Sequence, residues 1–460
     1  MPPESPSAPP PCTSSAPQRQ SGLDALRGIA AVFVVLLHAG IPYMTNPMAY
    51  LVWPARDAHP SDFVDVLTWC TECFLMPLFF LLAGYFSVGP LLSRGEKQFV
   101  ESRTKRLMVT QVASGTFILP TCLLIWSMGW IADGLYAPRT IFIWRSGIPK
   151  ELEAELYGFG HFWFLHYLYI YCLLMGGASW LVKRSVSRLP SLTKTAADDL
   201  TGVDVILSSV WKPMIPVVPA AIILYLDPRI VLGFYQTFIP VGSKLAYYAI
   251  YFAAGVTMWR TRSTNDRHSL LYLTLAGVTF LGVLPLIHQH VEQPLVGVQR
   301  VLLAGLLAIF ASLSAHGLFA LFLKSRLGDN VGMKYLADAS FWVYIIHLPF
   351  VGLTQIAIAR TGVPALGKFV IVGTIAVGLS LLTYQAFVRN RWLGEFLEGR
   401  WGPNSRPRTA PAKAQGAKSA LDFELDDAVS ALPTVHFRTP RVQTIESPLY
   451  SRPTLTQSPD

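Results

Sequence analysis

Long apolar runs, separated by short charged stretches, fill most of the chain. A membrane-spanning helix needs about 20 mostly apolar residues. Roughly ten runs approach or meet that length: 26–45, 63–88, 108–131, 161–182, 214–234, 245–259, 269–287, 296–323, 335–357 and 368–388. The fifth is interrupted by LDPRIVLG, and the sixth is short. The pattern predicts an all-α fold, a polytopic bundle of about ten transmembrane helices.

Charge orients this bundle. Lys and Arg gather in every second connection: Arg94, Lys97, Arg103, Lys105 and Arg106 after the second run, and Lys183, Arg184, Arg188, Lys194 and Lys212 after the fourth. Arg260, Arg262 and Arg267 follow the sixth run, Lys324, Arg326 and Lys334 the eighth, and Arg389 and Arg391 the tenth. The alternate connections, containing RDAHPSD, KELEAE and HQHVEQP, are poorer in bases. The positive-inside rule then places both termini in the cytoplasm, in accord with an even number of spans.

Composition narrows the class. The chain of 460 residues is 52% hydrophobic and only 14% charged, against about 25% charged in a typical soluble domain. It reads as an integral, multi-pass membrane protein. Its net charge of +9 then reflects connection topology rather than a nucleic-acid partner. The five cysteines give no disulfide framework, and CTEC at 70–73 reads as two small buried side chains. The Pro/Ser-rich start, residues 1–20, lacks the apolar core of a signal peptide. Residues 1–20 and 396–460 are expected to be disordered tails around a membrane domain at 21–395. In the second tail LDFELDDAVSAL reads either as a short acidic helix or as plain solvated chain.

Ionisable residues inside a span are costly and mark candidate functional sites. The first run, GLDALRGIAAVFVVLLHAG, carries Arg27 and His38. Eleven positions are about three helical turns, so the two share one stripe roughly 16 Å apart. Arg27 stands at the cytoplasmic mouth and His38 beyond the midplane. Glu72, in the second run, falls near the same depth. It either orients the imidazole of His38 as a carboxylate partner or is protonated or bonded to another helix.

These residues resemble the acyltransferase-3 family of integral membrane O-acyltransferases, whose signature is Arg, ten residues, then His. Further pieces follow in the family's order: FLMPLFFLLAGYF (74–86), RTKRLMV, GHFWFLHYLYIY (160–171), YYAIYFAAG (247–255) and SFWVYIIHLPF (340–350). The likeness spans about residues 20–395 and is nearest the glucan-modifying branch of the glucans biosynthesis protein C type. Ala83 stands where the family's second-helix element has Ser, and Phe341-Trp342 replaces a Ser-Tyr pattern.

The resemblance implies transfer of an acyl group from cytosolic acyl-CoA, as co-substrate and with no cofactor, to a hydroxyl of an acceptor, a carbohydrate or glycan. His38 is the natural base for that hydroxyl, and a covalent acyl-His intermediate stays open. Arg27 either holds a carbonyl or phosphate of the donor or is a snorkelling anchor. Arg103, Lys105 and Arg106 either bind donor phosphates or serve topology alone. His161 and Trp163 are candidates for an acceptor entrance, Trp163 also reading as an interfacial belt residue. His347, beside Pro349, either lines the cavity or bonds a neighbouring helix. His288 and His290 supply too few ligands for a metal site, and no metal is expected. Membrane lipid is the expected surrounding. A multi-span transporter or exporter without acyl-transfer chemistry, and a silent scaffold with partner-binding tails, are the rival classes.

Overall fold

The computed structural model describes residues 20–49, 51–135, 158–188, 210–235, 237–261 and 268–399. Among them the regular structure is helical: α1 (Ser21–Gly40), α2 (Asp62–Arg103), α3 (Thr110–Ala132), α4 (Trp163–Arg188), α5 (Val217–Leu226), α6 (Arg229–Leu232), α7 (Gly242–Thr261), α8 (Ser269–Glu292), α9 (Gly297–Leu323), α10 (Val331–Ile358), α11 (Ala365–Thr383) and α12 (Trp392–Leu397). Of the expected tails, 1–20 and 396–460, residues 1–19 and 400–460 lie outside the described residues, as does KELEAE, while α12 runs into the start of the second.

Seven helical runs among the described residues are long and apolar enough to cross a membrane: Ser21–Tyr43, Asp62–Ala132, Gly160–Ser185, Ser269–Glu292, Gly297–Leu323, Val331–Ile358 and Ala365–Val388. The protein is an all-helical, multi-pass membrane protein. The differences from the ten-run reading have local causes. The fifth run breaks after the 10 residues of α5, about 15 Å of helix, because Pro228 keeps Asp227 out of helical geometry. Asp227 instead gathers the hydroxyls of Tyr235 and Ser243 at 2.7 Å and Arg229 Nε at 3.3 Å. The sixth run is a full helix, α7, but Ser243, Lys244 and its tyrosines dilute its apolar character. The second and third runs form one helical stretch, interrupted where Gly95 takes φ 75°. The basic connection expected between them is itself helical, with a π turn over Thr104–Val109.

Two glycine contacts set the helix registers. A Cβ on Gly28 of α1 would stand 3.0 Å from the backbone nitrogen of Ala337, so α10 lies backbone to backbone with α1. The two helices run parallel: Arg27 reaches Ala337 near their starts, and His38 meets His347 further along. The α2–α7 pair repeats the device. A Cβ on Gly84 would collide with the carbonyl of Phe252, and one on Gly255 with the carbonyl of Leu81. Small residues permit such approaches in membranes, where close van der Waals packing holds helices together. α2 is the central helix, packed against α1, α4, α7 and α9, with Trp69, Leu75 and Phe80 fully buried.

Gly84→Ala is therefore expected to force α2 from α7 and cost about 1–3 kcal/mol. Gly277→Ala, whose Cβ would meet nothing within 4 Å, serves as the neutral control. Thermal unfolding of the detergent-purified chain checks both.

Candidate active site

Three histidines from three distant segments meet at one point. His38 lies in the last turn of α1, His347 in the middle of α10, and His161 in the 3-10 turn Gly160–Phe162 that leads into α4. Ring centroids are 5.1 Å apart for His38 and His347 and 5.3 Å for His161 and His347.

Their backbone partners assign the protons. His347 Nδ1 lies 2.9 Å from the carbonyl of Tyr344 and 3.1 Å from that of Val343. A carbonyl only accepts, so Nδ1 carries the hydrogen and, in the neutral ring, Nε2 carries a lone pair. His38 Nδ1 lies 2.8 Å from the Val34 carbonyl and 3.3 Å from His347 Nε2. It donates toward both, which leaves His38 Nε2 as the basic nitrogen. His161 donates Nε2–H to the Ile345 carbonyl at 3.1 Å, and its Nδ1 is buried without a partner. Tyr344 donates its hydroxyl to the His161 carbonyl and so ties the 3-10 turn to α10. The arrangement leaves two oriented lone pairs, His38 Nε2 and the buried His161 Nδ1; of the two, His38 has a backing group, His347, in the place a carboxylate takes in other such pairs.

The end of the site beyond α1 is built by residues not singled out in the sequence. Gln355, buried on α10, donates its amide to the carbonyls of His38 (3.0 Å) and Ala39 (3.2 Å). Helix ends leave such carbonyls unsatisfied, and here Pro42 prevents α1 from continuing. Gln355 Oε1 accepts the indole N–H of Trp53 at 2.7 Å, and Trp53 stacks on His38 at 6.0 Å and 23°. Trp53 arrives on the strap that follows α1, described over residues 44–49 and 51–61. Buried Asp57 and Lys368 pin the strap with an ion pair of 2.7 Å, and Asp65 accepts the Asn46 backbone N–H at 2.8 Å. His288 closes on that same Asp65 at 2.8 Å, and His290 Nδ1 accepts the N–H of Leu295. The HQH pair thus holds structure.

The other sequence candidates divide. Arg27 pairs with Asp24 at 3.5 Å and approaches the Ala337 carbonyl. Arg106 lies over the ring of Phe341, a turn further along α10, so both guanidiniums border the same stretch of that helix. Arg103 covers Phe99, and Lys105 pairs with Glu101 at 2.9 Å. Buried polar atoms without a partner among the described residues cluster here: Arg103 Nε, the Thr110 hydroxyl and both ends of the Gln111 amide. Glu72 is not brought to His38. Its electrostatic partner is Lys244, at the start of α7. Trp163, half-buried, lies under the Lys244 ammonium, 3.6 Å from its ring centroid. Gln355 had a signal in the sequence, since it lies two helical turns beyond His347. Lys244 stood one residue before the sixth run, and Trp53 was hidden in a polar connection.

One family model, an acyltransferase domain, matches residues 20–385. The chain belongs to the acyltransferase-3 family. No curated protein matches it, and no solved structure does. Members of this family are acyltransferases that move groups other than aminoacyl groups, and the chain is a multi-pass membrane enzyme of that kind. The matched span includes all three clustered histidines and the basic π turn.

Gln355→Leu is expected to lower kcat about tenfold, through loss of the clamp on the end of α1, with the donor KM unchanged. Gln355→Glu keeps the acceptor for Trp53 but puts a second acceptor against two carbonyls, and should be no better. Steady-state kinetics of the purified variants checks both.

Proposed function

We propose that the chain moves an acyl group from cytosolic acyl-CoA to a hydroxyl of a carbohydrate or glycan, with His38 as general base. The observation that carries this reading is the chain of proton assignments that leaves a lone pair on His38 Nε2 and sets His347 behind its Nδ1–H. The acceptor hydroxyl gives its proton to Nε2 as its oxygen attacks the thioester carbonyl. The C–S bond then breaks, and the proton on Nε2 passes to the departing CoA thiolate. His347 holds His38 Nδ1–H in place and stabilises the imidazolium that forms between the two steps.

Arg27 and Arg106, which border the same stretch of α10, suit the phosphates of the donor, since guanidinium binds phosphate bidentately. Arg103 and Lys105 add charge to that mouth. The buried polar atoms of Thr110 and Gln111 suit the amide groups of an extended pantetheine arm. From Arg27 to His38 is about 16 Å along α1, a span such an arm can cover. The basic connections and both termini face the cytoplasm in this reading, with the α5–α6 segment and α7 completing about ten passes. Donor then enters from inside, and the hydroxyl comes from the opposite face, the side of the strap and His161.

His38→Ala should lower turnover by at least the 10²–10⁴-fold typical of a lost general base, while the chain still folds. His347→Ala should lower kcat less, and near-normal turnover by His38→Ala would end this assignment. Sealed vesicles of known orientation test the transmembrane part. Labelled acyl-CoA on the face bearing the termini and acceptor on the other should give product. Product formed only when both share one face would refute transfer across the membrane. Unmodified acceptor crossing without CoA release would replace acyl transfer with export.

A further inference from the structure

A second polar cluster lies on the other side of the His161–Trp163 turn. It contains Glu72 of α2 and Lys244 of α7, with the rings of Trp163 and Tyr248 around them. The parallel α2–α7 pair creates it. Glu72 lies about three turns before Gly84, and Lys244 about three turns before Gly255, so the crossing that joins the glycines carries both charges to one level. Helix α4 then fixes the end of α7. Tyr167 accepts the N–H of Val241 at 2.7 Å, and Tyr171 donates to the Leu245 carbonyl at 2.6 Å. Trp163, Tyr167 and Tyr171 form one stripe of α4, and Lys244 is held over the first of them. Tyr248 packs on Trp163 at 5.4 Å and on Phe80 at 4.8 Å.

Lys244 Nζ lies on the face of Trp163, and among the described residues no hydrogen bond or ion pair is seen at either Glu72 or Lys244. Both are deep in the bundle, and Glu72 keeps accessible surface. Charged groups so placed are expensive without partners. A hydroxyl satisfies both at once, accepting from the ammonium and donating to the carboxylate. The pair is neutral in sum, so a neutral ligand fits, whereas a charged one would leave a charge uncompensated. The aromatic walls suit the C–H faces of a sugar ring.

We propose that Glu72, Lys244 and Trp163 form a binding site for a neutral, hydroxyl-bearing sugar, the acceptor subsite next to the histidines. It rests on the acyl-transfer reading for its role, and for its existence on Lys244 held over Trp163 and on the level that Glu72 and Lys244 share in the α2–α7 crossing. His161, two residues before Trp163, connects the two clusters.

The test separates these. Isothermal titration of maltotetraose, and of glucuronate as the acidic comparison, is run on the full chain in a detergent without sugar. The variants are Glu72→Gln, Lys244→Met, the double variant and His38→Ala. Wild type and His38→Ala should bind maltotetraose and prefer it to glucuronate. Each single variant should bind at least tenfold more weakly. The double variant removes both charges together and should fold as well as wild type by thermal unfolding, yet bind as weakly as the singles. A purely structural ion pair predicts the opposite, with binding restored in the double variant. That restoration, equal binding by every variant, or no binding by wild type overturns the proposal. Sugar binding that depends on Glu72 and Lys244, together with full turnover by His38→Ala, would keep the site and remove only the catalytic assignment.

Discussion

The backbone contact between α1 and α10 is the constraint on which the site depends. Gly28 lets Ala337 approach, and the two helices then run parallel in step. His38 is as far beyond Gly28 as His347 is beyond Ala337, so equal helical rises bring the two imidazoles together. Arg27 and the Ala337 carbonyl mark the start of this register, and Gln355 on the carbonyls of His38 and Ala39 marks its end. A slip of one residue on either helix would turn its histidine by about 100°. The meeting of the two imidazoles is therefore a property of the helix pair.

Satisfaction of polar groups shapes the rest. Lipid offers no hydrogen bonds, so every polar group at depth must find its partner in the protein. The end of α1 leaves free carbonyls, and Gln355 answers them. The strap does the same on a larger scale. Asp57 with Lys368 and Asp65 with His288 are pairs between the strap or its footing and distant helices. They fix a connection that would otherwise be mobile, and Trp53 gains a set place over His38.

What could be read in the sequence follows from which interactions are local. Arg27 and His38 lie on one helix, and helical periodicity alone put them on one stripe. The apolar runs gave most of the helices for the same reason. The reading lost ground at Asp227, where a proline ended a run early, and at the basic connection, where charge suggested loop but the chain stays helical. Partnerships between helices were not legible. Nothing in the neighbourhood of Glu72 reveals that its counter-charge is Lys244 rather than His38. That choice is made by Gly84 and Gly255, which set the sliding register of two segments far apart in the chain. His161 and His347 were found as residues, but their meeting at His38 is a result of tertiary packing.

The π turn at Thr104–Val109 has a consequence for how the chain can vary. A π turn holds one residue more than the α turn it replaces. Loss of a single residue there would return the turn to regular α geometry and leave the angular phase of the flanking segments nearly unchanged. The same loss from the regular helix beside it would turn everything before it by about 100° relative to α3, and the link between Thr104 and Tyr169 would break. The π turn can therefore absorb a change of length that the helix on either side of it cannot.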